Sequence, residues 1–132
     1  GENIEPCPLE EALLASRLIE QVILVGQDQR NLSALVVPSY SNMYQWGKSK
    51  GLNLQEDLGG VPGDHFLRKL LRSEINDLLS KRSGARNDEK IFGVALVEPF
   101  TIENGMLTQT LKLRRNKIAD RDSKIIEAFY RR

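Results

Sequence analysis

Two apolar runs rich in β-branched residues constrain the fold of this chain more than any other feature. The first run covers residues 22–25 and the second covers residues 32–37, with a short polar segment between them. Two such runs around a polar turn predict an antiparallel β-hairpin over about residues 21–38. Pro38 lacks the amide hydrogen that a ladder needs, so we expect the second strand to end there. The apolar side of the hairpin has to be covered by helices.

The rest of the chain supplies those helices. Residues 64–82 carry apolar side chains at steps of three and four, which is the spacing of a helix with one buried face. Shorter patterns predict helices over about residues 9–16 and 114–130, and a third strand over about residues 90–98. Together these elements predict a small α+β fold, formed as a single domain by residues 1–132.

Composition and charge exclude several classes of protein. Hydrophobic residues make up 40% of the 132 residues and charged residues 28%, which is typical of a globular domain. The net charge of +1, from 19 basic and 18 acidic residues, argues against general nucleic-acid binding. No apolar run approaches the roughly 20 residues of a membrane-spanning helix. The single cysteine, Cys7, cannot form an internal disulfide or a cysteine zinc cluster, so we predict a cytoplasmic protein without a metal site.

Two adjacent acids, Glu10 and Glu11, follow Pro8 at the start of the first predicted helix. Neighbouring helical positions point about a quarter-turn apart, so these acids do not form an acid–base pair. We interpret them as charges that favour the positive end of the helix dipole. The chain also has no glycine-rich phosphate loop and no nucleophile elbow, so a complete active site is not predicted.

The most distinctive polar stretch surrounds Lys112. Thr108 and Thr110 alternate just before it, and three more cations follow within five positions: Arg114, Arg115 and Lys117. A lysine ammonium is a compact charge on a flexible stem, suited to phosphate and carboxylate oxygens. A loop of this kind can direct one ammonium at an anionic site. Solvated surface cations at a helix start give the same pattern, so the spacing alone leaves both interpretations open.

Both ends of the chain resemble one family. Residues 1–6, followed by residues 9–11, resemble the end of the linker-side motif in adenylate-forming (AMP-binding) acyl ligases. Residues 104–115 resemble the final motif of the long-chain fatty acyl-CoA synthetase branch, with Gln109 where a proline commonly stands. Residues 25–30 resemble the acyl-acyl-carrier-protein synthetase branch. The resemblance covers essentially the whole chain.

This resemblance implies that the chain is the mobile C-terminal lid of a larger two-domain enzyme, whose N-terminal domain is absent from it. In the implied reaction, a fatty carboxylate attacks the α-phosphate of ATP and gives acyl-adenylate and pyrophosphate. The thiol of coenzyme A then attacks the acyl-adenylate and gives a thioester and AMP. Lys112 is implied to be the catalytic cation of the first step. ATP with Mg²⁺, fatty acid and CoA are the implied ligands of the full-length enzyme, and the isolated chain is expected to be inactive.

The resemblance also implies where substrates bind. After the lid rotates for the second step, Gly1, Glu2 and Asn3 are expected to line the thiol channel. The other implied substrate-binding residues are Thr108, Thr110, Arg114 and Arg115. The implied partner is the enzyme's own N-terminal adenylation domain, in the cytoplasm or at the periphery of a membrane. Two alternatives stay open: acyl carrier protein as the thiol acceptor, or a non-enzymatic module that binds an acidic partner through residues 112–117.

Overall fold

The computed structural model describes residues 6–26, 31–51, 65–81 and 90–130. Within these ranges the chain has an α+β architecture, as predicted, with a three-stranded sheet in the order β1-β2-β3. The strands are β1 (Ile19–Val25), β2 (Leu32–Pro38) and β3 (Ile91–Leu96). The helices are α1 (Pro6–Leu13), α2 (Tyr40–Ser49), α3 (His65–Ser80), α4 (Arg115–Arg121) and α5 (Ser123–Tyr130).

Strands β1 and β2 form the predicted antiparallel hairpin. Ile23 pairs with Leu35, and Val25 pairs with Ser33 near the turn. Strand β2 ends at Pro38, as its missing amide hydrogen predicts. The predicted turn covers residues 26–31, of which residues 27–30 lie outside the described residues.

Strand β3 runs parallel to β2, with Val94 beside Ala34. Parallel strands need a crossover connection, and α2 and α3 belong to the segment that makes it. The side chain of Asn76 in α3 fixes the start of β3, because it accepts from the Ile91 N–H at 2.7 Å and donates to the Ile91 carbonyl at 3.1 Å. The predicted third strand is confirmed, although it ends at Leu96, two residues before the predicted boundary.

Both faces of the sheet are buried, because each strand alternates its side chains between two apolar clusters. The first cluster joins the sheet to α1, α2 and α3 through Leu9, Leu13, Met43, Leu71, Ile75 and Leu79. The second cluster covers the opposite face and includes Phe100, Met106 and Ile118, with Ile125, Ile126 and Phe129 packed against it. The two long apolar helical patterns of the sequence therefore serve opposite sides of one sheet.

The prediction of one helix over residues 114–130 is wrong, because the helix breaks at Asp122. Asp122 has φ −104° and ψ 22° and is buried, and its carboxylate accepts two hydrogen bonds from the Arg121 guanidinium. Arg121 also donates to the carbonyl of Glu98 at 2.8 Å and that of Pro99 at 3.0 Å. These bonds hold the end of α4 near the end of β3, and α5 begins at Ser123. The first predicted helix is confirmed with a shift of three residues, since α1 ends at Leu13.

The far end of α5 rests on the β1–β2 hairpin. The Tyr130 hydroxyl donates to the Asn31 carbonyl at 2.8 Å and lies 3.2 Å from the Ser33 hydroxyl. Gly26 permits this approach, because a Cβ at its position would overlap the Tyr130 oxygen, and its φ of +89° also favours glycine. The last helix therefore closes the second face of the sheet at the hairpin end.

Candidate functional site

Residues 106–114 form a small hairpin, here called the Lys112 hairpin. Leu107 and Leu113 make an antiparallel bridge, and the Arg114 N–H donates to the Met106 carbonyl at 2.8 Å. Met106 is buried in the second cluster, and Leu107 and Leu113 pack against that cluster. The base of the hairpin is therefore fixed in the apolar core, whereas its tip extends from the domain.

A hydrogen-bonded loop holds that base from the N-terminal side. The carboxamide of Gln21 in β1 bonds both the N–H and the carbonyl of Phe100, each at 2.9 Å. Asn104 accepts from the backbone N–H groups of Thr101 and Met106, each at 3.0 Å. Gly105 has φ +80°, a left-handed conformation that glycine adopts readily in a tight turn. The chain thus enters the Lys112 hairpin in a defined direction.

The two threonines predicted beside Lys112 form the tip of the hairpin. The Thr108 carbonyl accepts from the Leu111 N–H at 2.9 Å, and the Thr108 N–H donates to the Lys112 carbonyl at 2.9 Å. The Thr108 hydroxyl accepts from the Lys112 N–H at 3.0 Å and lies 3.1 Å from the Thr110 hydroxyl. Thr108 therefore shapes the backbone that carries Lys112, and Thr110 contacts the Thr108 hydroxyl. Their role in binding substrate stays a prediction.

Leu111 carries backbone strain at this tip. Its φ is +66°, and among the described residues it alone combines a positive φ with a side chain. A turn followed by a left-handed residue is a common hairpin loop, but glycine usually takes the left-handed position. An L side chain in this conformation costs about 1–2 kcal/mol. The strain immediately precedes Lys112, and the Leu111 side chain is 66% exposed.

The Lys112 side chain is exposed at this tip. Its ammonium has no hydrogen-bond or ion-pair partner within the part of the chain that the structure describes. Arg114, which precedes α4, is also exposed. The structure therefore presents Lys112 as a cation available to an external anion. The base of the Lys112 hairpin is held by apolar packing and does not need the Lys112 side chain.

Arg115 has a different environment, because its guanidinium forms a bidentate ion pair with Glu10. The two bonds measure 2.9 and 2.5 Å, and the buried Glu10 carboxylate also accepts from the Leu24 N–H at 2.7 Å. The interpretation of Glu10 as a helix-start charge is therefore wrong, because α1 begins at Pro6 and has no acid in its first turn. Glu10 and Arg115 are 105 positions apart, so no local pattern could reveal the pair. Arg115 as a substrate-binding residue stays a prediction, although its guanidinium is already engaged.

The remaining predicted site residues, Gly1, Glu2 and Asn3, lie outside the described residues. Within the four described ranges, no group of three or more His, Cys, Asp or Glu side chains is placed to hold a metal ion. In the same ranges, no helix has the length and apolar character to cross a membrane.

Comparison with known proteins gives a consistent family. A family model described as "AMP-binding enzyme C-terminal domain" matches residues 1–53. The chain is 35% identical, over 99% of its length, to the probable acyl-activating enzyme 16, chloroplastic, of Arabidopsis thaliana. It is 31% identical over 98% to the chloroplastic long-chain-fatty-acid–[acyl-carrier-protein] ligase AEE15, and 35% identical over 87% to the peroxisomal long chain acyl-CoA synthetase 7, both of the same plant.

The chain spans only 18%, 16% and 16% of those three relatives, respectively. Its fold resembles part of the A-PCP didomain of carboxylic acid reductase from Segniliparus rugosus, solved in complex with AMP. That match has a TM-score of 0.73 and 25% identity, and covers 98% of this chain and 16% of the reductase chain. Sequence and fold together show that the chain belongs to the C-terminal domains of AMP-binding, adenylate-forming enzymes.

Proposed function

We propose that this domain is the mobile lid of an ATP-dependent long-chain fatty acid ligase and works with an N-terminal adenylation domain. In the first step, a fatty carboxylate oxygen attacks the α-phosphorus of ATP, and pyrophosphate leaves. In the second step, a thiol attacks the acyl carbon, and AMP leaves as the thioester forms. The names of two relatives, a fatty acid–acyl-carrier-protein ligase and an acyl-CoA synthetase, support this substrate class.

The observation that carries the proposal is the exposed ammonium of Lys112, which has no partner among the described residues, on a hairpin with a buried base. The first step brings two anions together, and negative charge builds on their oxygens in the transition state. A cation held in place before the reaction stabilises that charge most strongly where water is excluded. Closure of the lid would bring Lys112 to the carboxylate and the α-phosphate and exclude water at the same moment.

The second step needs Lys112 to withdraw and the thiol to enter, so the lid has to rotate. In this state Gly1, Glu2 and Asn3 would line the thiol channel, where a glycine lets backbone approach the thiol arm closely. CoA is the leading thiol. Acyl carrier protein is the second candidate, because one relative at 31% identity is an acyl-carrier-protein ligase. Exposed Arg114 and Lys117 suit either the phosphates of CoA or acidic helices of a carrier.

Magnesium and location are the remaining parts of the proposal. Mg²⁺ usually binds with ATP phosphates, and the described residues offer no acidic cluster for it, so we assign Mg²⁺ to the rest of the enzyme. We place the enzyme in the cytoplasm, with peripheral contact at a membrane that supplies fatty acid. Relatives bear the words chloroplastic and peroxisomal in their names, so fractionation of cells that express the full-length protein tests this location.

The decisive experiment separates the two half-reactions in the full-length enzyme. Lys112→Ala should lower the rate of acyl-adenylate formation by about 100-fold or more, the usual loss when one such contact disappears. Thioester formation from supplied acyl-adenylate should stay close to the parent rate. The melting temperature should not change, because the Lys112 side chain is exposed and unpaired in the described chain.

The matched control is Lys124→Ala, which removes an exposed cation from α5 and should leave both half-reactions unchanged. Normal adenylation by Lys112→Ala, with only the thioester step reduced, would contradict the role of Lys112. If the domain is instead a module for an acidic partner, the isolated chain should bind that partner with strong salt dependence. That alternative has fewer available cations than the sequence indicates, because Glu10 neutralises Arg115.

A further inference from the structure

The buried carboxylate of Glu10 connects three separate elements of the domain. Glu10 lies in α1, accepts from the Leu24 N–H in β1 at 2.7 Å, and binds both terminal nitrogens of Arg115 at the start of α4. Its side chain is 8% exposed, against 36% for that of Arg115. Both carboxylate oxygens are therefore engaged, and the guanidinium is held in one plane and one direction.

The position of Arg115 in the chain makes this pair relevant to Lys112. Arg115 follows Lys112 by three positions, directly after the C-terminal arm of the Lys112 hairpin. That arm is otherwise held by the Leu107–Leu113 bridge and by the bond from the Arg114 N–H to the Met106 carbonyl. Among the described residues, the ion pair therefore links the segment that carries Lys112 to α1, the first helix of the chain.

We infer that Glu10 is a positioning residue: through Arg115 it fixes the Lys112 hairpin to α1, so that the ammonium moves with the hinge side of the lid. This inference rests on the proposed function. A buried ion pair adds little net stability, because desolvation offsets most of the attraction, but it defines an orientation. Orientation is what a lid needs when it delivers one charge to a reacting centre, since a displacement of about 1 Å can cost about 100-fold in rate.

The test uses Glu10→Gln in the full-length enzyme. The side-chain amide oxygen that this substitution introduces can still accept from the Leu24 N–H, so the variant removes the charge and the bidentate grip with little change in shape. Acyl-adenylate formation should fall by about 10- to 100-fold in kcat with little change in the KM for ATP. Thioester formation from supplied acyl-adenylate should remain within about twofold of the parent enzyme, because that step does not use Lys112.

Asn76→Ala is the matched control, because it removes a comparable tether between α3 and β3 on the face of the sheet opposite the Lys112 hairpin. It should lower the melting temperature without separating the half-reactions. Arg115→Lys is the second variant if Glu10→Gln folds poorly. It keeps the charge but loses the bidentate geometry, so it should also lower the rate of adenylation, by a smaller factor than Glu10→Gln does.

A double-mutant cycle with Lys112→Ala separates this inference from the proposed function. If Glu10 acts through Lys112, Glu10→Gln should cause no further loss of adenylation in the Lys112→Ala background. The inference is overturned if Glu10→Gln adenylates at the parent rate, slows both half-reactions equally, or lowers adenylation by the same factor with and without Lys112. Normal adenylation by Lys112→Ala alone would instead overturn the proposed function, and this inference with it.

Discussion

The domain contains two hairpins that differ in burial: the β1–β2 hairpin lies in the core, and the Lys112 hairpin has an exposed tip. In the β1–β2 hairpin, the side chains of Ile23 and Leu35 are about 1% exposed or less, and helices cover both faces. In the Lys112 hairpin, only the base is buried, and the tip consists of hydrogen bonds among Thr108, Leu111 and Lys112 with one strained residue. The first hairpin is stabilised by burial of apolar side chains along both strands. The second is stabilised at its base, where Met106, Leu107 and Leu113 pack in the second cluster.

The difference shows why the chain can carry an exposed charge on a stable fold. Changes at the tip of the Lys112 hairpin should leave the sheet intact, since no core side chain lies there. Changes in the β1–β2 hairpin should lower the stability of the whole domain, because its side chains form the core. They should not act on the contacts of Lys112 directly. Variants in the two hairpins can test this separation.

The largest effect is expected for Leu35→Ala in β2. Leu35 is fully buried, so its truncation leaves a cavity in the second cluster and should reduce the free energy of unfolding by about 2–5 kcal/mol. Urea denaturation of the isolated chain, followed by circular dichroism, measures the change. Leu111→Ala removes the same atoms from the exposed tip and should change stability by less than about 0.5 kcal/mol. Equal losses for the two variants would refute the distinction between the hairpins.

A smaller and local effect is expected for Thr108→Val. The hydroxyl that accepts from the Lys112 N–H disappears, while the shape of the side chain is kept. The loss of this bond is worth about 1 kcal/mol, so the Lys112 amide should exchange its hydrogen about 5- to 10-fold faster, with no change in the amides of β2. Thr110→Val is the control, because the Thr110 hydroxyl contacts only that of Thr108 in the bonds described above. The Lys112 amide should keep its protection in that variant.

The smallest effect is expected for Leu111→Gly, and its sign is opposite. Glycine relieves about 1–2 kcal/mol of left-handed strain and adds about 0.5–1 kcal/mol of chain entropy to the unfolded state, so a net stabilisation of about 0.5 kcal/mol should follow. Thermal unfolding of the isolated chain measures it. Leu14→Gly changes another exposed leucine, one without positive φ, and should be destabilising. A loss of stability in both variants would show that the strain at Leu111 is absent in solution.

Local patterns predicted the elements but not their arrangement. The apolar runs at residues 22–25 and 32–37 predict a hairpin because both the strands and the turn are encoded within a short stretch. The parallel orientation of β3 depends on the crossover through α2 and α3, and no residue of β3 encodes it. The break at Asp122 is equally hidden, because it depends on Arg121 reaching the carbonyls of Glu98 and Pro99, more than 20 positions away.

The candidate site divides in the same way. Lys112, Thr108 and Thr110 are close in sequence, so one motif identifies them and the structure brings them together. The role of Glu10 could not be predicted, because an acid near the start of a predicted helix has a simpler explanation and only the fold shows that Arg115 lies beside it. A local sequence motif identifies side chains that lie in one loop. It does not identify residues far away in the sequence, such as Glu10, that contact the loop's flanking helix in the folded chain.

The closure of the sheet by α5 has a consequence for synthesis of the chain on the ribosome. Residues 6–51 supply α1, β1, β2 and α2, but the second face of the sheet stays open until α4 and α5 have emerged. Before that moment Ile23, Leu35 and Val37 are exposed to water, and a nascent chain in this state is prone to aggregation or to capture by chaperones. Translation should therefore be followed by a late, cooperative folding event, timed by the arrival of Phe129 and Tyr130.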